Sequence, residues 1–161
     1  MQLCAHTGVG DGGYLFDRLK EEISRSTRHD LPLALMLFRV SADGTSPSAV
    51  DALTRAAVLL ARHFVRDSDV VAWLGSGHFG VLANTPPRGA ETLAASLAQE
   101  LRAFEFTCAD RALALQVSYG VSCLGERRTP GELLDEARAA LDLARPLASS
   151  ECPSLEAQAE P

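Results

Sequence analysis

One stretch limits the fold more than any other. After Pro32 the run Leu33-Ala34-Leu35-Met36-Leu37-Phe38-Arg39-Val40 is almost uninterruptedly apolar and of strand length, and a strand without polar alternation is one covered on both faces. It therefore belongs at the centre of a sheet, and the rest of the chain must cover it. Between Tyr14 and Arg28, Phe16, Leu19 and Ile23 recur at helical spacing among charged residues, and this helix ends near His29-Asp30. A small polar loop, Ser41 to Ser46, follows the strand. Ser46 is placed to cap a helix with Pro47 at its first position, and Val50, Leu53, Ala57, Leu60 and Phe64 form its apolar stripe. Two short apolar runs, Val70 to Leu74 and Phe79 to Ala83, flank Gly75-Ser76-Gly77-His78 as a hairpin.

A third helix is expected from Ala90 to Phe104 on Leu93, Leu97 and Leu101. From Leu113 to Cys123 apolar residues alternate with Ala114, Gln116, Ser118, Gly120 and Ser122, which predicts one long strand with a core face and a small or polar face. Thr129-Pro130-Gly131-Glu132 is a capping box with proline at the first helical position, and Leu133, Ala137, Leu141 and Ala144 continue the last helix. The order predicts an α/β (α+β) domain over residues 1–146, with a central mixed sheet flanked by helices. Residues 147–161, rich in Ser, Glu, Pro and Ala, are expected to form a mobile tail.

Composition narrows the function classes. A chain of 161 residues suits one domain, and 47% hydrophobic with 22% charged residues is globular composition. The formal charge of −6, without a Lys/Arg cluster, argues against DNA or RNA as partners, although a small anion needs only one or two arginines. Cys4, Cys108, Cys123 and Cys152 are widely spaced, with no histidine pair to complete a zinc site, and read as reduced thiols. Met1 to His6 is no secretory signal. The apolar runs Leu31 to Phe38 and Ala56 to Ala61 fall far short of the roughly 20 residues that span a bilayer. A cytoplasmic domain without membrane insertion is expected.

Several segments, in order, resemble the GGDEF domain of bacterial diguanylate cyclases from Thr7 to Arg145. Thr7-Gly8-Val9, Asp11 and Tyr14-Leu15 match its opening motif, and Pro32-Leu33-Ala34-Leu35 its P-L-A-L strand. Arg66-Asp67-Ser68-Asp69-Val70-Val71-Ala72, followed by Gly75 and Phe79, matches R-x-x-D-x-v-a-R-y-G-G-D-E-F in register. Val117-Ser118-Tyr119-Gly120-Val121 resembles the V-S-I-G-V strand, and Leu133-Leu134 with Ala137, Ala140, Leu141 and Ala144 resembles the terminal helix. The resemblance implies a palm-like αβ fold with a central mixed sheet.

The departures fall on the chemistry. G-G-D-E-F is here Gly75-Ser76-Gly77-His78-Phe79, and D-x-D at the end of the first strand is Arg39-Val40-Ser41. The stretch that carries guanine-contacting residues in the family is shortened to a loop near Asp43-Gly44-Thr45. The two arginines of the opening motif are Gly12 and Gly13, and the late lysine is Arg145. Phosphoryl transfer from GTP needs carboxylate-held metal ions, so the resemblance leaves no catalytic residue, no metal ligand and no cofactor to assign. His78 reads as a solvated turn residue or a substitute ligand. Gly75-Ser76-Gly77 reads as a positive-φ turn or a phosphate cradle.

Arg66 and Asp69 stand at the family's inhibitory motif, R-x-x-D, which in active relatives binds cyclic di-GMP. Arginine can bond guanine O6 and N7, and a carboxylate can accept from N1–H and N2–H. The plainer alternative is a solvated Arg66 and an Asp69 that turns the chain into its strand. A further family arginine would fall near Ser96, where this chain offers only Arg88 and Arg102 nearby. The resemblance thus implies a catalytically inactive regulatory domain in cyclic di-GMP signalling, a receptor through Arg66 and Asp69. The alternative is a ligand-free scaffold that regulates a protein partner or another domain.

Overall fold

The computed structural model describes residues 9–42, 44, 46–75, 77–104, 106–108, 111–125, 129–144 and 147–148. Expectations placed on Thr7, Gly8, Asp43, Thr45, Ser76, Arg145, Cys4, Cys152 and residues 149–161 lie outside them.

Helix α1 spans Gly12–His29, with the Asp11 carboxylate accepting from the Tyr14 amide at 2.9 Å and Asp30 ending it in the left-handed region. Strand β1 is Ala34–Ala42. Helix α2, Pro47–Phe64, starts as read, with Ser46 Oγ accepting from the Ala49 amide. Strands β2 (Val70–Gly75) and β3 (His78–Ala83) form the hairpin, and α3 runs Pro87–Ala103, three residues earlier than the apolar stripe suggested. Helix α4, Pro130–Leu143, opens on the complete capping box of Thr129 and Glu132.

Two expectations change between α3 and the C-terminus. The single strand expected over 113–123 is divided: Arg111–Leu113 (β5) turns back on Phe106–Cys108 (β4) as a separate two-stranded ribbon, and Leu115–Cys123 (β6) joins the main sheet. The alternation runs unbroken across Ala114 because the sequence keeps its period of two there while the strand changes its partner, from β4 before it to β1 after it. Leu147–Ala148 (β7), assigned from sequence to the tail, pairs with Gln116 and Val117 of β6.

The main sheet has the order β2-β3-β1-β6-β7, and its ladders are antiparallel. The mixed sheet expected from the sequence is therefore antiparallel in its ladders; parallel pairing is confined, among the described residues, to the isolated bridge of Gly10 to Ala72, with the Trp73 amide donating to the Gly10 carbonyl at 2.8 Å. The succession β1-α2-β2-β3-α3-β6 is a split βαβ arrangement. Helices α2 and α3 cover one face over Met36, Phe38, Val40, Val71, Phe79 and Val81. Helices α1 and α4 cover the other, where Leu15, Leu19, Leu133 and Leu141 pack with Leu35, Leu37 and Leu82. None of the described helices is long and apolar enough to cross a membrane.

The second face explains the small residues of β6. Ser118 and Ser122 are buried, and Ser122 Oγ donates to the Leu133 carbonyl at 2.8 Å, so this face is core rather than solvated. Leu37 has Gly80 and Gly120 as its two register partners. A Cβ at Gly120 would press on the Ala137 carbonyl and the Leu141 amide, inside van der Waals contact with helix backbone that cannot rotate away. Gly120→Ala should therefore cost about 3 kcal/mol through overpacking. Ser122→Ala should cost about 1 kcal/mol through its lost hydrogen bond. Urea midpoints measure both, and a Gly120→Ala protein as stable as the parent would contradict the close approach of α4.

Candidate functional site

Two turns hold the residues singled out from the sequence, one at each end of β2. The first joins α2 to β2. The Asp69 amide donates to the Arg66 carbonyl at 3.0 Å, and the Arg66 amide donates to Asp69 Oδ2 at 3.1 Å, so the four residues close on themselves. Arg66 Nε lies 3.7 Å from the same oxygen; the Arg66 side chain is 67% exposed and that of Asp69 only 4%. An ion pair this exposed on one side adds little stability, whereas the carboxylate-to-amide bond is charge-assisted and sheltered. Asp69 thus forms the turn and, from within it, holds one side of a guanidinium that faces solvent.

Arg62, in the last turn of α2, is not singled out by the sequence. It donates through Nη1 to the Asp69 carbonyl at 2.8 Å and through Nη2 to the Arg66 carbonyl. Beside this turn lies a cleft of about 390 Å³ between α1 and the residues 67–71, lined also by Arg18, Glu22, Arg25, Arg62 and Asn84. Its cations are engaged within the protein. Arg18 and Arg25 both bond Glu22, Arg25 also bonds Asn84, and Arg62 bonds the two carbonyls. The i, i+3 and i, i+4 spacings around Glu22 were the available sequence signal.

Arg88 and Arg102 do not serve one place. Arg88 is exposed in the first turn of α3, at the end of the sheet where α2 also finishes, since Val70 and Leu82 are register partners. Arg102 stands fourteen residues further along the same helix, about 21 Å at 1.5 Å per residue. Its charge instead bears on Tyr119.

The second turn is the β2–β3 connection. Gly75 (φ 121) and Gly77 (φ 81) take backbone conformations that side chains disfavour, so the turn needs its glycines. The Gly77 amide donates to Thr54 Oγ1 at 2.8 Å and the Gly77 carbonyl accepts from the Val40 amide at 2.8 Å, so this amide is spent within the fold rather than offered to a phosphate. Phe79 is fully buried and stacked on Phe38, with ring centroids 4.8 Å apart. His78 pairs in register with Arg39, and Arg39 Nη1 lies 3.7 Å from Asp142 Oδ1 on α4. A cleft of about 270 Å³ opens here among Leu37, Leu74, His78, Arg138, Leu141 and Asp142.

These donors do not fit a magnesium ion, which takes oxygen ligands and near-octahedral geometry. One imidazole and one carboxylate, Asp142, stand beside a guanidinium, whose charge opposes a cation. Among the described residues no group of three or more His, Cys, Asp or Glu is placed to hold a metal.

Burial raises the Tyr119 pKa above the ordinary tyrosine value; Glu91 raises it further and Arg102 opposes both. The folded state therefore keeps the proton that the unfolded chain releases first, and this contribution to stability, complete below about pH 10, is lost as pH rises through the folded value. The sequence holds two tyrosines, so a Tyr14→Phe protein isolates Tyr119. Its phenolate absorbance should rise with a midpoint above pH 10, and Arg102→Ala should move that midpoint further up. A midpoint unmoved by Arg102→Ala would contradict the placement of that charge.

The family profile described as "Diguanylate cyclase, GGDEF domain" matches residues 5–149. No match to a curated protein was found. Among solved structures, a sensory box/GGDEF family protein from Caulobacter crescentus is 27% identical, with a TM-score of 0.80, covering 89% of this chain and 97% of that one. The GGDEF domain of DgcB from the same organism, in complex with c-di-GMP, is 14% identical, with a TM-score of 0.79 and 88% of each chain covered. Diguanylate cyclase SiaD from Pseudomonas aeruginosa, in complex with its activator SiaC, is 22% identical with a TM-score of 0.72, covering 86% of this chain and 56% of that one. With its palm-like sheet and a profile match over nearly its whole length, the chain belongs to the GGDEF domain family.

Proposed function

We propose that this chain is a regulatory GGDEF domain without cyclase activity, and that it receives cyclic di-GMP at the Arg66–Asp69 turn. One observation carries the receptor reading: an exposed guanidinium held at one side by a buried carboxylate. A guanidinium oriented in this way presents its remaining donors to guanine O6 and N7 or to a phosphate oxygen. Asp69 accepts the guanine N1–H and N2–H only once its carboxylate is uncovered, so its first task is to orient Arg66. The DgcB domain, which this chain resembles in fold, is bound to c-di-GMP.

The inactive reading rests on residue chemistry. Metal ions that bridge the phosphates of GTP need carboxylates, and Arg39, Gly77 and His78 stand at the matched positions. The reading is supported by Arg39, a cation that lies 3.7 Å from Asp142 beside His78.

A second reading, a scaffold for a partner protein, is favoured by Leu59 and Phe64, which are 40% and 37% exposed on α2. SiaD, similar in fold, is held by a protein activator.

With GTP and Mg²⁺ or Mn²⁺ the protein should yield no cyclic di-GMP above a control without protein; measurable synthesis would overturn the inactive reading. Cyclic di-GMP should bind in calorimetry, on the order of micromolar affinity. Arg66→Ala and Asp69→Ala should each weaken it about ten- to hundredfold, as loss of one charge-assisted partner does. Absence of heat at saturating ligand would end the receptor reading and leave the scaffold, for which sedimentation with candidate cyclases is the test.

A further inference from the structure

The Arg66–Asp69 turn is not held by its own four residues alone. Its two end carbonyls, those of Arg66 and Asp69, both receive hydrogen bonds from one guanidinium, Arg62, rooted in the last turn of α2. The Arg66 carbonyl accepts at once from Arg62 and from the Asp69 amide, and the Asp69 carboxylate accepts in turn from the Arg66 amide. The two nitrogens of a planar fork thus set the spacing of two carbonyls, a task that a single ammonium or a neutral amide does not reproduce.

We propose that Arg62 is the positioning residue of this site: by bridging the two carbonyls it fixes the turn, and so the direction in which Arg66 leaves the surface and the depth of Asp69. The proposal rests on the reading of the turn as the receptor site, with Arg62 acting through Arg66 and Asp69 and not on the ligand. Because α2 and β2 are both packed into the core, the clamp sets the turn before any ligand arrives.

The test separates positioning from contact and from general stability. Arg62→Lys, which keeps the charge but not the fork, and Arg62→Gln are compared with the parent by cyclic di-GMP calorimetry and by amide hydrogen exchange. Both variants should lose about tenfold or more in affinity. In both, without ligand, the Arg66 and Asp69 amides should exchange at least tenfold faster while the Leu37 amide in β1 is unchanged. Parental exchange at Arg66 and Asp69 would overturn the proposal, whether affinity is kept or lost; lost affinity with parental exchange would make Arg62 a ligand contact. If the parent itself binds no cyclic di-GMP, the receptor reading fails, and the exchange rates still decide whether Arg62 holds the turn. Should either variant fail to fold, the parent answers alone: nitrogen NMR of the Arg62 guanidinium should show two distinct, slowly exchanging Nη signals, and a single averaged signal would overturn the clamp.

Discussion

From Ala34 to Phe38, strand β1 has no face and no edge left to water. It pairs with β3 on one side and β6 on the other, and its residues from Ala34 to Phe38 are all buried. Everything else follows from satisfying that strand. Its backbone groups need two antiparallel neighbours, its two faces need two pairs of helices, and α4 can close on the sheet only where β6 offers Gly120. The same frame fixes the two turns. Val70 and Leu82 align with the start of β1, and His78 aligns with Arg39 near its end. The six residues of β2 therefore separate the turns by about 20 Å.

The two turns have opposite chemistry. At the β2–β3 turn the described backbone groups are bonded inward, Gly77 to Thr54 and Val40, Phe79 stacks on Phe38, and Arg39 faces a carboxylate of the protein, Asp142, at the surface. At the α2–β2 turn the bonds are also internal, yet they leave one guanidinium in solvent. Helix α2 serves both, since Thr54 pins one turn and Arg62 clamps the other. Packing alone demands this frame, whatever chemistry the turns carry.

Much of this was legible in the sequence, and for local reasons. The capping residues Ser46 and Thr129, the apolar stripe of α2 and the run after Pro32 each act over a few residues, so pattern and structure agree. What was hidden depends on partners far along the chain. Nothing local shows that Ala114 ends one pairing and begins another, or that Ser118 and Ser122 are small because a helix lies on them. The matched positions of Arg66 and Asp69 were visible, but the burial of Asp69 was not. Arg62 escaped notice because its partners are backbone carbonyls, which have no letter in a sequence.

The central claim is that recognition resides at the α2–β2 turn and not at the β2–β3 turn. Amide chemical shifts followed during titration with cyclic di-GMP test this residue by residue. The account predicts changes concentrated at residues 62–71, with Gly77, His78 and the Arg138–Asp142 side of α4 unmoved. Changes centred on Gly77, His78 and α4, or no change anywhere at saturating ligand, would contradict it.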